Sequence, residues 1–392
     1  MPAGDLKRLK AALLYGADAV FIGGKNYSLR AKASNFSLED IDEGVRFAHT
    51  LGKKVYVTVN MIPHSKDLEG IEEYLIKLDK YNVDAIIVSS PYIIRSVQRL
   101  RLNLECHLST QVSALNSETV RFYESLGCSR VVLARECTLE DIQKISRRVR
   151  AELEVFIQGG LCSSYSGRCT LSNYYVLRDA NRGGCAHSCR WDYCLFEGDN
   201  RISSTGPFKI ASKDLIGVRH IASLIDAGVS SLKVEGRMKS LNYVAIVAKV
   251  YREIINSFYD GSLTEKKIIA AEKLLNSIES RPLCEGFLNE KGISADDQIY
   301  TSESKTVNQN YLGYIEEYNE KTGMATIIRK NDFYKGDTVV VFAYDRLPFE
   351  CTIQRLFTDN EEVESARCTE RPIQAVMSSP VRAYYILRKK QS

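Results

Sequence analysis

Seven times in the first 260 residues, a segment of helical period leads into a short run rich in β-branched and aromatic residues. DLKRLKAALLYG precedes ADAVFIGG, residues 38–51 precede KKVYVTVN, and residues 67–80 precede VDAIIVSS. PYIIRSVQRL then leads to LECHLST, SETVRFYESLG to SRVVLAR, LEDIQKISRRV to LEVFIQG, and GVRHIASLIDAGV to SSLKVEGR. A further helix is expected over about residues 241–258, and Asp5 is placed to cap the first one. Strands alternating with helices form right-handed βαβ units, and these stack their strands in parallel. The expected fold is α/β: a (β/α)8, TIM-like barrel whose first strand is truncated or missing, since the chain opens directly on a helix. An open doubly wound sheet is the weaker reading. FIGGKN is a lone glycine pair, and no Gly-rich nucleotide fingerprint follows any strand.

The barrel is expected over residues 1–260, with a Cys-rich segment at 158–200 inserted before the last barrel strand. A connector over 261–310 contains one helix, at about 264–279. From Tyr311 the pattern changes to short β-type runs, YLGYIEEY, MATIIRK, DTVVVFAY, FECTIQRLF and VRAYYILRK, which suit a small antiparallel β-barrel over 311–392.

Parallel barrels carry their reacting groups where strands end. Here those ends are Asn60, Ser89 and Ser90, Ser109 to Gln111, Arg135 and Glu136, Gln158, and Glu235 with Arg237. Gln111, Glu136, Glu235 and Arg237 are therefore the candidate catalytic residues. A strand reaching solvent also ends in polar residues, so no single position decides the matter.

No run of eighteen apolar residues is present, and MPAGDLKRLK lacks the apolar stretch of a secretory signal. A cytoplasmic location is expected, where disulfides are rare, so the eleven cysteines need another explanation. Burial as small apolar residues accounts for Cys106, Cys128, Cys137, Cys284, Cys351 and Cys368. It does not account for EVFIQGGLCSSYSGRCTLSNYYVLRDANRGGCAHSCRWDYC, in which Cys162, Cys169, Cys185 and Cys189 fall within 28 positions. Irregular, glycine-rich backbone around four thiols suits a bound metal. Arg168, Arg182 and Arg190 are expected to favour thiolates. Spacing alone leaves an iron–sulfur cluster, structural zinc and unligated thiols open, and Cys194 is an alternative partner for Cys189. The radical-SAM spacing is not met.

EVFIQGGLCSSYSGRCTLS resembles the defining motif of the collagenase-like peptidase family, peptidase U-32. NRGGCAHSCRWDY, ASKDL, KVEGRMKSLNYVA and the N-terminal PAGDLKRLKAALLYGADAVFIGG are similar to other segments of that family. The C-terminal β region is similar to the small barrel of its tRNA-modifying members. The resemblance implies that Cys162, Cys169, Cys185 and Cys189 ligate a [4Fe–4S] cluster. It also implies oxygen-independent, prephenate-dependent hydroxylation of a tRNA wobble uridine to 5-hydroxyuridine, with a paired subunit of the same family as a further partner. Two positions depart from the motif as expected: Gln158 stands where His is usual, and Gly160 where Ala or Ser is usual. The first removes an acid–base group.

Collagenase-like peptidase activity is the alternative, although the sequence contains no H-E-x-x-H and no G-x-S-x-G. His49 falls in a helix, and His187 lies between two of the cysteines. A noncatalytic, zinc-stabilised RNA-binding protein is the third reading. Residues 147–190 hold seven arginines against three acidic residues, a surplus of four that equals the chain's net charge of +4. RNA contacts are accordingly expected at Arg178 and Arg182, with Trp191, Tyr174, Tyr175 or Tyr193 stacking on a base. Residues 311–392 balance twelve basic against twelve acidic residues.

Overall fold

The computed structural model describes residues 1–29, 35–202, 206–289, 292–299, 310–367 and 372–390. Six strands, β1 (Ala19–Gly23), β2 (Lys54–Val59), β3 (Ala85–Val88), β4 (Glu105–Leu108), β5 (Cys128–Val132) and β6 (Glu152–Gly160), lie side by side in chain order, all parallel. After the cysteine segment comes β7 (Asp214–Ile216), antiparallel to the end of β6. The next strand, β8 (Ser231–Val234), pairs in parallel with β6. All four residues of β3 are buried, as expected of a strand covered on both faces.

The covering layer is made of helices that the sequence itself delimits. Asp5 caps α1 (Leu6–Leu14) by accepting from the Arg8 amide. Ser37 and Asp40 form a capping box on α2 (Leu38–Thr50), and Thr138 and Asp141 form one on α6 (Leu139–Ser146). Pro91 opens α4 (Pro91–Leu100), where its missing N–H costs nothing. With α3 (Ile71–Lys80) and α5 (Ser117–Ser125), these helices bury one stripe each, for example Ile41, Val45 and Ala48 on α2. The helix expected from GVRHIASLIDAGV is shorter, α8 (Ile221–Asp226), and is preceded by a 3₁₀ turn.

Ahead of α1, the described residues make one isolated parallel bridge, Pro2 to Phe21, and no regular strand. The Met1 carbonyl accepts from the Phe21 amide at 2.9 Å, and the Ala3 amide donates to the Phe21 carbonyl at 3.1 Å, in parallel register with β1. Side chains from the two ends of the sheet meet: the Lys233 ammonium of β8 lies 4.2 Å from the centre of the Phe21 ring of β1. Between them, Lys233 bonds Glu154 at 2.5 Å, and Arg130 reaches the Tyr56 hydroxyl at 3.1 Å.

The described part of the connector expected at 261–310, residues 261–289 and 292–299, belongs to this body. The long helix α9 (Leu241–Tyr259) packs against α1 and α10 (Glu265–Asn276). Leu283–Cys284 then joins β7 in parallel, and Gln298–Ile299 pairs with Ala211–Ser212.

The C-terminal unit is a closed, six-stranded antiparallel barrel. Its strands are β9 (Tyr311–Asn319), β10 (Met324–Arg329), β11 (Thr338–Phe342), β12 (Phe349–Thr358), β13 (Ile373–Met377) and β14 (Ile386–Lys389). They run in the order β11, β14, β9, β10, β13, β12 and back to β11, enclosing Leu312, Ile315, Ile327, Val341, Ile353 and Leu387. Five strands match the expected runs, and β13 is the one that the pattern did not single out. The barrel docks through Tyr15, whose ring stacks on Phe342 and whose hydroxyl donates to the carbonyls of Phe342 (2.6 Å) and Tyr384 (3.1 Å).

Candidate active site and metal centre

The carboxyl ends of the parallel strands are tied to one another by polar side chains. After β2, the Asn60 amide donates to Ser109 beyond β4 at 3.1 Å, and Ser89 beyond β3 donates to the Asn60 carbonyl at 3.0 Å. Arg237, buried beyond β8, donates to Ser28 at 2.9 Å and to Asn35 at 2.6 Å, and Ser28 meets Thr58 of β2 at 2.9 Å. Arg135 stacks on Phe156, 3.9 Å from the ring centre, and lies 4.0 Å from the Glu235 carboxylate. Arg237, Arg135 and Glu235 thus stand on one rim.

The cysteine segment folds back over that rim and is sewn to it. The Gln111 amide donates to the Asn181 side chain at 3.0 Å, and the Ile62 amide donates to the Asn181 carbonyl at 3.2 Å. Glu136 accepts from the Ser166 amide at 3.0 Å and from its hydroxyl at 3.1 Å. Gly167, at φ +74°, sits so close to the Gln111 carbonyl that a Cβ would collide with it. Two of the four candidate catalytic residues, Gln111 and Glu136, therefore serve to hold the segment. Gln158 is buried, its side-chain oxygen accepting from the Tyr251 hydroxyl at 2.8 Å.

Within the segment a short helix, α7 (Leu171–Val176), was not legible, since six residues are too few to display a period. None of the four cysteines is in a disulfide, and all are at least partly accessible. Burial raises the Cys169 thiol above its ordinary value, and Cys162 and Cys185 push it the same way. Burial also raises Cys189, against the pull of Arg190, with Cys162 and Cys185 again adding to the rise. The arginines were expected to favour thiolates, and at these two positions desolvation wins. Four thiols sharing one field cannot all ionise without a cation among them.

The donor set fits an iron–sulfur cluster. Among the described residues, no three His, Cys, Asp or Glu side chains converge into a single-ion site. In a cubane each thiolate would bind its own iron, so four separate thiols are the donor type that such a cluster takes. Cys194 is exposed, and Cys106, Cys128, Cys137, Cys284 and Cys351 are buried as expected, whereas Cys368 lies outside the described residues.

The basic surplus divides. Arg147, Arg148 and Arg150 follow α6 and precede β6, placing them at the opposite pole of the sheet from the cysteines. Arg182 is held by an ion pair to Asp67 and by the His64 ring at 3.1 Å, so it is not open to a phosphate as expected. The Arg178 side chain makes no hydrogen bond or ion pair among the described residues. Trp191 is 41% exposed and begins a chain of rings: Tyr175 at 6.1 Å, then Tyr174 at 5.1 Å and Tyr193 at 5.6 Å. His49 bonds Asp84 at 3.1 Å, a structural contact. No helix among the described residues is long and apolar enough to cross a membrane.

The sequence reading passed over Asp214, Lys239 and Arg281. Arg281 clamps the buried Asp214 carboxylate at 2.5 and 2.9 Å, and Lys239 approaches it at 3.6 Å. Asp214 and Lys239 lie in the ASKDL and KVEGRMKSLNYVA segments already singled out, whereas Arg281 carries no local signal.

Comparison with known proteins places these features. A family model described as peptidase family U32 matches residues 4–297, and one described as its C-terminal domain matches residues 307–388. The chain is 42% identical over 384 residues to the tRNA hydroxylation protein P1 of Bacillus subtilis, covering 96% of this chain and 90% of that one. It is 39% identical over 262 residues to the 23S rRNA 5-hydroxycytidine C2501 synthase of Escherichia coli, covering 66% of this chain and 39% of that one. It is 29% identical to a collagenase of Porphyromonas gingivalis, covering 87% and 85%. Two family models spanning both the parallel-sheet body and the small barrel leave one conclusion: the chain belongs to peptidase family U32.

Proposed function

We propose that the protein is an RNA-modifying enzyme that hydroxylates the wobble uridine of tRNA to 5-hydroxyuridine without molecular oxygen, with prephenate as cosubstrate. Its cofactor in this reading is a [4Fe–4S] cluster held by Cys162, Cys169, Cys185 and Cys189. The observation that carries the reading is the sewing of the four-cysteine segment onto the rim that bears Arg135, Glu235 and Arg237. Near-complete coverage of a relative named for tRNA hydroxylation supports it. The meeting of β1 and β8 side chains supports a (β/α)8 barrel, whose reacting groups belong at that rim.

The cluster, when bound, supplies one-electron transfer. Arg135 is placed to bind a carboxylate, since a guanidinium fork matches its two oxygens, and the buried Arg237 orders the rim through Ser28 and Asn35. Glu235, backed by Arg135, is placed to move a proton at its carboxylate. Trp191, Tyr174 and Tyr175 offer exposed rings for stacking an extruded base, and Arg178 offers a charge for a phosphate. A cytoplasmic enzyme working with a paired family subunit is consistent with this reading.

The test is mass spectrometry of tRNA nucleosides from a strain lacking the gene. 5-Hydroxyuridine derivatives should vanish, return with the wild-type gene, and stay absent with Glu235→Gln or Cys162→Ser. Unchanged nucleosides in the deletion strain overturn the proposal.

A further inference from the structure

The surroundings of the four cysteines are electrostatically lopsided. On the side of Cys162 and Cys189, cations donate to the peptide carbonyls that flank the ligands. Arg281 reaches the Leu161 carbonyl at 3.4 Å, one residue before Cys162, and Lys209 reaches the Arg190 carbonyl at 3.1 Å, one residue after Cys189. Arg190 itself lies within electrostatic range of Cys189 and Cys162, and of Arg281 and Asp214. Its guanidinium is half-buried yet makes no hydrogen bond or contact ion pair among the described residues. Lys209 is matched by Asp192 at 2.8 Å, whereas Arg281 and Lys239 already share Asp214. Glu279 is the further acid near Lys239.

On the side of Cys169 the hydrogen bonds to the flanking backbone are neutral, and the adjacent Arg168 lies within electrostatic range of Tyr123. The Asn181 amide donates to the Cys169 carbonyl at 3.3 Å, and the amides of Leu171 and Ser172 face its thiol. Ser172 accepts from the Ala186 amide, beside Cys185, at 3.0 Å.

A half-buried cation without a hydrogen-bonding partner is costly unless an anion sits beside it. Four thiolates around a [4Fe–4S] core carry net negative charge, and that charge grows when the core takes up an electron. Fixed positive charge favours the reduced form, and charges and hydrogen bonds around the sulfurs set cluster potentials.

We infer that Arg190, supported by Lys209 and Arg281, is a positioning cation that raises the reduction potential of the cluster from the Cys162–Cys189 edge. This rests on the cluster assignment proposed above, and the experiment separates the two. Wild-type protein, reconstituted anaerobically, is first assayed for iron and sulfide; no stoichiometric iron ends the cluster assignment itself. With the cluster bound, the one-electron couple is titrated with dithionite and followed by electron paramagnetic resonance. At the potential where half the wild-type clusters are reduced, Arg190→Gln should show a reduced-to-oxidised ratio lower by about tenfold, which is ~59 mV for one electron. Arg190→Lys should restore it, and Lys144→Gln, a remote surface cation, should not change it. Full cluster occupancy with an unshifted midpoint in Arg190→Gln overturns the inference. If that variant binds no cluster, Lys209→Met decides: a lowered midpoint supports the inference and an unchanged one overturns it.

Discussion

His107 stands edge-on to Tyr56, ring centres 4.7 Å apart, on the parallel sheet, and its Nε2 lies 3.1 Å from Glu105. Burial, aided by the nearby Arg130 charge, pushes its pKa down from 6.5 to about 4. The unfolded chain therefore takes up the proton first. The stability this residue contributes is present above pH 6.5 and is lost as the pH falls toward 4. The limiting slope is about 1.4 kcal/mol per pH unit. Chemical denaturation at pH 7, 6 and 5 should show a steeper loss for wild type than for His107→Gln, and equal slopes would refute the assignment. Among the thiols the contrast is sharper. Cys162→Ser and Cys189→Ser should abolish the brown chromophore of anaerobically reconstituted protein, whereas Cys351→Ser, buried in the small barrel, should keep it. Spacing singled out the first two and left Cys351 to the core, because four thiols in one glycine-rich stretch differ visibly from scattered ones. What each arginine does was not legible: Arg182 and Arg190 look alike in sequence, yet one is neutralised by Asp67 and the other lies within electrostatic range of Cys189 and Cys162.

Helices and strands of the parallel body could be read because local chemistry delimits them: Asp5, Ser37, Thr138 and Pro91 mark helix starts, and both-face burial makes a strand such as Ala85–Val88 an apolar run. Short elements escaped. The six residues of α7 make fewer than two helical turns, and β13, although it alternates between buried and less buried positions, was passed over. The cysteine segment depends least on local propensity and most on its stitches. Glu136→Ala would leave the buried Ser166 hydroxyl and amide without their acceptor, costing about 1–3 kcal/mol locally. Gly167→Ala would drive a methyl group into the Gln111 carbonyl at a φ that alanine avoids. Both variants should retain the wild-type circular dichroism of the helices and lose at least half the bound iron, as measured by metal analysis. Full iron content in Gly167→Ala would show that the segment does not need its close approach to the rim.

Across the whole molecule, the small barrel is fastened by the docked Tyr15 and by Lys249, which donates to the carbonyls of Ala343 (2.5 Å) and Arg346 (2.8 Å). Tyr15→Phe should cost about 1–3 kcal/mol through loss of the buried hydroxyl's hydrogen bonding, and Tyr15→Ala about 3–5 kcal/mol. Calorimetry should then show the single melting transition separating into two. For RNA, the division of the arginines predicts that Arg178→Ala weakens tRNA binding and flattens its salt dependence. Arg148→Ala, at the far pole, should do neither, as anisotropy across a salt series will show. Trp191→Ala should cost about 1–3 kcal/mol if a base stacks on its exposed ring. The sequence by itself determined the alternation of helix and strand, the division into a large α/β body and a small antiparallel barrel, and the identity of the four clustered thiols. These are properties of neighbouring residues: period, capping, composition and spacing. Only the tertiary structure decided that residues 261–289 and 292–299 join the body, that Gln111 and Glu136 hold the cysteine segment, and that the basic surplus splits between two poles. It alone brought Arg281 to the carbonyl beside Cys162, 120 positions away along the chain. Such contacts come from sheet curvature and chain return, which set distances between residues whose local sequences carry no record of each other.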